Sequence, residues 1–228
     1  MAFEPGARAF DEIAPHPDGV DADDELVHER AYVVRAYRQG TDTLVLRGGV
    51  RDQKPPGLYI PEDREPLTIH HMVVDLRIAV PSLEIVAAKA VPEVHPHSTC
   101  PRIEDHYGNL VGLSIARGYT HKVRELFGGP RGCTHTTALL QAMAPVAIQS
   151  MWSFRMGSDG GAGPLGGPDA KQRQRAAMAM NLNSCHVWAE DGEQVAAIRR
   201  DEPLEVPLWI HRRFEKLGID PTRWRDGS

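Results

Sequence analysis

Residues 131–152, RGCTHTTALLQAMAPVAIQSMW, place a thiol, an imidazole and three hydroxyls at the start of the most apolar helical pattern of the chain. Steps of three and four residues separate the mainly apolar positions, which predicts a helix with one buried face. These positions are Leu139, Leu140, Met143, Val146, Ala147, Ser150 and Met151. Thr134 is the predicted cap of this helix, and His135 lies in its first turn. Pro145 should kink the helix or end its first segment, because proline removes a backbone donor.

A sheet is predicted to support this helix. Short β-favouring runs at residues 31–38 and 43–47 flank a hairpin signal at residues 39–42, and residues 51–66 are expected to form a loop. Two further runs, at residues 67–80 and 83–91, complete an antiparallel meander with one buried face. A later hairpin is predicted from residues 183–189 and 194–198 around Asp191-Gly192. The fold class is therefore α+β, with an antiparallel sheet, the meander plus the later hairpin, packed against a long central helix.

Three segments organise the chain. Residues 1–28 carry most of the acidic excess, contain three prolines and are predicted to form an acidic, mostly disordered arm. Residues 29–200 are predicted to be a single α+β catalytic or binding domain, and residues 201–228 a C-terminal surface segment. Helices are expected at residues 102–113 and 120–127. The glycine-rich residues 157–169 are typical either of a flexible connection or of a lid.

Composition excludes several classes of protein. The net charge of -5 comes largely from the arm, so the body is nearly neutral and lacks the basic stripe of a nucleic-acid-binding protein. Three cysteines without a CxxC pair indicate free thiols and a reducing compartment. No apolar run reaches the length of a membrane span. We therefore expect a cytoplasmic protein with a small-molecule substrate and no nucleic-acid or membrane partner. Assembly as a homo-oligomer is left open.

Histidine provides the first chemical interpretation. His135 and His70 are candidate acid–base groups, because the ordinary imidazole pKa lies near neutral pH. Backbone N–H groups beside His135 would stabilise a substrate oxygen that gains negative charge. With no dinucleotide or phosphate-binding motif, this predicts a redox-neutral enzyme. The expected type is a lyase for retro-aldol or elimination cleavage of C–C or C–O bonds in a partly apolar or aromatic catabolic intermediate. Substrate-binding roles are assigned to Thr134, Cys185 and Arg124.

Three alternatives remain open. In the first, Cys133 is a nucleophile whose base is His135 or His186, since a helix N-terminus favours a thiolate. In the second, zinc or iron is bound by a set drawn from His70, Cys133, His135 and Cys185, although the predicted mechanism requires no metal or other cofactor. In the third, the protein binds a ligand or acts as a scaffold without catalysis, and its histidines are structural.

Several motifs resemble one known family. These are Leu67-Thr68-Ile69-His70, Leu110-Val111-Gly112, residues 124–129, Gly132-Cys133-Thr134-His135 and Cys185-His186. Together they are similar to the bacterial family catalogued as domain of unknown function 2889, over residues 30–200. The resemblance implies one conserved domain and no particular reaction. The chain departs from the family pattern at Ala138, where the family commonly has an acidic residue, and at His71, where it has Asp.

Overall fold

The computed structural model describes residues 23–116, 118–156, 170–202 and 206–220, together with residues 14, 18 and 19. Within these residues the strands are β1 (Glu29–Gln39), β2 (Thr43–Lys54), β3 (Leu67–Ala79) and β4 (Glu84–Val94). The α-helices are α1 (Tyr119–Phe127), α2 (Thr134–Met156), α3 (Ala170–Asn181), α4 (Glu193–Arg199) and α5 (Leu208–Leu217). Shorter 3-10 helices are Cys100–Leu110, Gly129–Arg131 and His186–Trp188. The predicted α+β class is confirmed.

The four strands form the predicted antiparallel meander, in the order β1-β2-β3-β4. Alternate residues of β2 face the core, because successive side chains of a strand point to opposite faces. The buried row is Leu44, Leu46, Gly48, Val50 and Asp52. The strand continues to Lys54, so the prediction that the loop begins at residue 51 is wrong. The alternation persists through Gly48 and Gly49, which offered no β-favouring side chain to the sequence pattern.

Helix α2 lies close to β2 where Gly48 leaves room. A Cβ atom at Gly48 would fall 2.8 Å from Met143 Sδ and 3.1 Å from Leu139 Cδ1. Leu139 and Met143 follow His135 at steps of four residues, so all three share one helix face. Helix α2 continues through Pro145 to Met156, so of the two predicted effects of Pro145, a kink or the end of a first segment, the end does not occur. Tertiary burial of the helix outweighs the loss of one backbone hydrogen bond.

The chain divides into two compact units, Met1–Ser150 and Met151–Ser228. The boundary falls inside the span 29–200 that the sequence analysis treats as one domain. The first unit contains the sheet, α1 and most of α2. No helix among the described residues is long and apolar enough to cross a membrane.

The second unit contains helices where the later hairpin is predicted, so that prediction is wrong. His186–Trp188 is a 3-10 helix and Glu193–Arg199 is α4. The buried side chains of α4 are Val195 and Ile198, and this step of three residues suits a helix. The sequence pattern alone does not reveal it, because a short apolar run is compatible with either a helix or a strand. The Asp191-Gly192 turn leads into this helix. The predicted lid or connection at residues 157–169, and most of the predicted arm at residues 1–28, lie outside the described residues.

Candidate active site

Three polar side chains meet at one end of the buried face of the sheet because of strand register. Asp52 on β2 lies opposite Arg30 on β1 and opposite His70 on β3. Residues paired across antiparallel strands place their side chains on the same face, within contact distance. Asp52 therefore ends the apolar row of β2 with a carboxylate, and its neighbours on both sides are basic residues.

Arg30 binds the carboxylate of Asp52 with two hydrogen bonds. Arg30 Nε donates to Oδ1 at 2.5 Å and Nη2 donates to Oδ2 at 2.7 Å. Asp52 is only 1% exposed, yet these bonds lower the pKa of its carboxyl group to about 2. The guanidinium thus keeps a buried carboxylate ionised, since a charge-assisted bidentate pair offsets the cost of burial. His28 Nε2 lies 3.8 Å from Oδ1 on the same side.

His135 reaches the same carboxylate from the first turn of α2. Its Nε2 lies 3.1 Å from Asp52 Oδ2, and its ring stacks on that of His70 with the centroids 3.9 Å apart. Because the ionised carboxylate can only accept, Nε2 carries the proton and Nδ1 of the neutral ring has the free lone pair. Burial, followed by the neighbouring His70, lowers the pKa of His135 below its ordinary value. The imidazole is therefore held neutral and oriented as a base.

Cys133 completes a line of contacts that begins at Asp52. Its Sγ lies 3.7 Å from His135 Nδ1, the nitrogen with the free lone pair. The Cys133 backbone N–H donates to the Tyr107 hydroxyl at 2.8 Å, and the Cys133 carbonyl accepts from the N–H of Thr137 at 2.9 Å. A Cβ atom at Gly132 would lie 2.5 Å from the Phe127 carbonyl oxygen, so glycine fits directly before Cys133. These contacts fix the thiol at the N-terminus of the helix.

A cavity of about 370 Å³ opens beside this thiol. Its polar lining includes Tyr107, Cys133, Thr134 and Thr136, which come from the 3-10 helix Cys100–Leu110 and from the start of α2. Its apolar lining is Met72, Ala90, Val91, Pro92 and Ile103. Burial raises the pKa of Tyr107, so its hydroxyl stays protonated. A cavity of this size, with apolar walls and a few convergent polar groups, suits a small organic ligand.

The structure brings some of the predicted site residues together. His70, Cys133 and His135 lie within one line of contacts, and Thr134 lines the cavity. Helix α2 begins at Thr134, so Cys133, rather than Thr134 as predicted, occupies the position before the helix. The boundary differs by one residue because the carbonyl of Cys133 already accepts the first helical bond.

Other predicted site residues lie elsewhere. Arg124 is on α1 with an exposed side chain. Cys185 and His186 belong to the second unit, where both are exposed and His186 begins a 3-10 helix. The expectation that a strand returns them to the core is wrong, because the hairpin that would carry them is absent from the described residues. Their predicted roles in binding and catalysis remain untested.

Sequence reasoning missed Asp52, Arg30 and Tyr107. Asp52 was assigned to a loop, although it follows Leu44, Leu46 and Val50 at even spacing on one face. Extending that alternation by two residues past Val50 would have placed a carboxylate at the end of the buried row. Tyr107 carried no comparable signal, because its contact with Cys133 joins segments that are 26 residues apart.

Three donor groups converge at a point where a metal ion would meet the fixed positive charge of Arg30. Asp52, His70 and His135 each offer an atom within 4.8 Å of the others, and their types suit zinc or iron. Arg30, however, already donates to both oxygens of Asp52, and its fixed positive charge would lie beside the ion. Of the set proposed from sequence, Cys185 lies in the second unit. The arrangement is that of an arginine-bound carboxylate orienting a histidine.

Comparison with known families places the chain. Residues 28–149, more than half of its length, match the family described as Protein of unknown function (DUF2889). The chain belongs to the DUF2889 family. The DUF2889 match ends at residue 149, so it is shorter than the predicted resemblance over residues 30–200. It contains the whole Arg30–Asp52–His135–Cys133 cluster. Comparisons with curated proteins and with solved structures find no match.

Proposed function

We propose that the protein is a redox-neutral small-molecule enzyme that works by acid–base chemistry at His135. The observation that carries this proposal is the contact between His135 Nε2 and the buried Asp52 carboxylate, at 3.1 Å. A base needs its free nitrogen aimed and its pKa kept near or below the working pH. The Asp52 contact aims the nitrogen, and burial together with His70 lowers the pKa against the opposing effect of Asp52. Convergence of His70, Asp52 and His135 on one point favours catalysis over a purely structural role for the histidines.

The reaction we propose is lyase-type cleavage of a C–C or C–O bond, by retro-aldol or elimination chemistry. In the retro-aldol case Nδ1 of His135 takes the proton of a β-hydroxyl group, the C–C bond breaks, and its electron pair forms an enolate. The first-turn N–H groups of α2 have no acceptor inside the helix and would stabilise the enolate oxygen. His135 then returns the proton to carbon, so no oxidant or reductant is consumed.

The cavity is consistent with a partly apolar or aromatic substrate. Met72, Val91 and Ile103 contribute apolar lining to the same cavity that Cys133 and Thr134 line. His135 does not itself line this cavity, but Cys133 does and contacts His135 Nδ1, so a substrate hydroxyl would have to reach the imidazole past the thiol. We also propose a cytoplasmic location, which is supported by three cysteines that are all free.

Turnover of aromatic β-hydroxy ketones tests the proposal. The aldehyde released by the wild-type protein is trapped with a hydrazine reagent and measured by absorbance. His135→Gln should lower turnover by about 10²-fold or more, because glutamine keeps a hydrogen bond but cannot act as a base at neutral pH. His121→Gln, at an exposed position of α1, is the matched control. Unchanged turnover in a folded His135→Gln variant, or a panel that yields neither the aldehyde of retro-aldol cleavage nor the enone of elimination, contradicts the proposal.

A further inference from the structure

Cys133 holds a position that the proposed acid–base reaction does not use. Its thiol lines the cavity, and its Sγ lies 3.7 Å from the lone-pair nitrogen of His135. The other nitrogen of that ring lies 3.1 Å from Asp52. Thiol, imidazole and carboxylate thus follow one another in the order that activates a nucleophile, with the base oriented by a third group.

We infer that Cys133 is a catalytic nucleophile that accepts an acyl group from an ester or thioester bound in the cavity. This activity goes beyond the proposed function, because His135 here serves the thiol and not the substrate. Asp52 acts as a positioning residue through His135. The substrate class follows from three further features of the same site, namely the helix N-terminus, the apolar wall and the fixed backbone of Cys133.

The N-terminus of α2 is suited to the oxyanion of an acyl-transfer reaction. The Cys133 carbonyl accepts the helical bond from the N–H of Thr137, so the N–H groups of residues 134–136 must find acceptors outside the helix. Thr134 and Thr136 of this turn line the cavity. An acyl carbon attacked by Sγ would therefore place its oxygen next to backbone donors and to the positive end of the dipole of a 23-residue helix.

Tyr107 keeps this geometry fixed. Its hydroxyl accepts a hydrogen bond from the Cys133 N–H at 2.8 Å, and its side chain is 1% exposed. This contact and the helical bond of the carbonyl hold the Cys133 backbone, from which the thiol projects beside the imidazole. Elsewhere in the lining of the cavity, Met72, Val91 and Ile103 provide apolar surface against which the hydrocarbon part of an acyl group would pack.

The reaction needs no reactant besides the acyl donor and water. The Cys133 thiol proton moves to His135 Nδ1 while Sγ forms a bond to the acyl carbon. The tetrahedral intermediate then expels the alcohol or thiol, which takes that proton from His135. Water, deprotonated by the same nitrogen, cleaves the resulting S-acyl bond and regenerates the thiol. Carbon, sulfur and nitrogen keep their oxidation states throughout.

Cys100 provides an internal comparison for this inference. It lines the same cavity and begins the 3-10 helix Cys100–Leu110, but the described residues give its thiol no imidazole partner. If cavity access alone governed reactivity, Cys100 and Cys133 would react alike. If the His135–Asp52 pair governs it, Cys133 reacts first.

The test uses 4-nitrophenyl benzoate and iodoacetamide on the full-length protein. The ester should release nitrophenolate in a burst of one equivalent, and peptide mapping by mass spectrometry should find the benzoyl group on Cys133. His135→Gln and Asp52→Asn should slow this acylation at least about tenfold. Asp75→Asn, a matched change on the same sheet, should leave it unchanged. Acylation that is equally fast in His135→Gln, or label spread equally over Cys100 and Cys133, overturns the inference.

A second measurement needs no variant. In the native wild-type protein, iodoacetamide should label Cys133 at least about tenfold faster than Cys100, and the difference should disappear in guanidinium chloride. Equal native rates overturn the inference. Cleavage of β-hydroxy ketones without acylation of Cys133 also overturns it and leaves the proposed lyase function standing. Acylation of Cys133 without ketone cleavage supports this inference and contradicts the proposed lyase function, so failure of one proposal can be told from failure of the other.

Discussion

Two arginine–aspartate pairs cross neighbouring strands of the same sheet, and they differ in almost everything except residue type. Arg30 binds Asp52 through two hydrogen bonds on the face that carries the buried row, and the Asp52 side chain is 2% exposed. Arg47 lies 3.6 Å from Asp75 on the opposite face, where both side chains are exposed. The first pair holds a charge that water cannot solvate, whereas the second is screened by solvent.

The comparison shows what turns an ion pair into part of a site. Asp52 has a further neighbour, His135, and an open cavity lies beyond the thiol that this histidine contacts. Among the described residues, Asp75 pairs with one basic side chain, that of its strand partner Arg47. Both sites have an arginine–aspartate pair, but only Asp52 is buried at the end of an apolar row. We attribute the ability of Asp52 to orient an imidazole to that burial.

Removing the two arginines should produce the largest difference between the pairs. Arg30→Gln leaves the Asp52 carboxylate buried without its cation, and we expect it to lower the free energy of unfolding by about 3 kcal/mol. Arg47→Gln should lower it by less than about 1 kcal/mol, because exposed pairs contribute little. Urea denaturation followed by circular dichroism measures both values. Equal losses in the two variants would mean that Asp52 is solvated.

The second largest difference between the two pairs should appear in how the free energy of unfolding depends on pH under acidic conditions. Because the pKa of Asp52 is lowered to about 2 by Arg30, its ionised form stabilises the folded protein above its ordinary pKa of about 3.9. That stabilisation should be lost as the pH falls from about 4 to about 2. The free energy of unfolding of Asp52→Asn should therefore depend less on pH in this window than that of the wild type. Asp75→Asn is the control, and an Asp52→Asn slope as steep as the control's would refute the assignment.

The smallest expected effect concerns His135 near neutral pH. Its lowered pKa means that the folded state binds the proton less tightly than the unfolded state. Stability should therefore rise as the pH increases through the lowered pKa toward the ordinary value of about 6.5 and level off above it. Replacing His135 by Gln should flatten this part of the curve, whereas replacing the exposed His121 by Gln should not. Thermal melts between pH 5 and 8, a window chosen around histidine's ordinary pKa, test this.

The sheet was predictable because its signals are local and repeated. Hairpin turns and period-two runs gave four strands in the correct order, and residues 120–127 coincide with α1 to within one residue. The second unit was less predictable, since Val195 and Ile198 are compatible with either a strand or a helix. Cys185 and His186 were carried into the predicted site by that choice.

Some residues of the site can be predicted from the sequence, whereas others are recognised only from the pairing register of the strands. His70, Cys133 and His135 were identified by their chemistry and by the helix start that two of them adjoin. Asp52 and Arg30 are ordinary surface residue types, and only pairing across β1, β2 and β3 brings them to the histidines. Such contacts depend on tertiary structure, which one strand's pattern does not encode.

The central claim, that the buried Asp52 orients His135 as a base while burial of the ring keeps it neutral, is tested most directly by nitrogen NMR of histidine-labelled protein. The His135 ring should carry its proton on Nε2 and leave Nδ1 unprotonated, and its pKa should lie below the ordinary histidine value. In Asp52→Asn the preference for the Nε2-protonated form should weaken, because the amide can itself donate to that nitrogen. A His135 ring with its proton on Nδ1, or with an ordinary or raised pKa in the wild-type protein, would contradict the account.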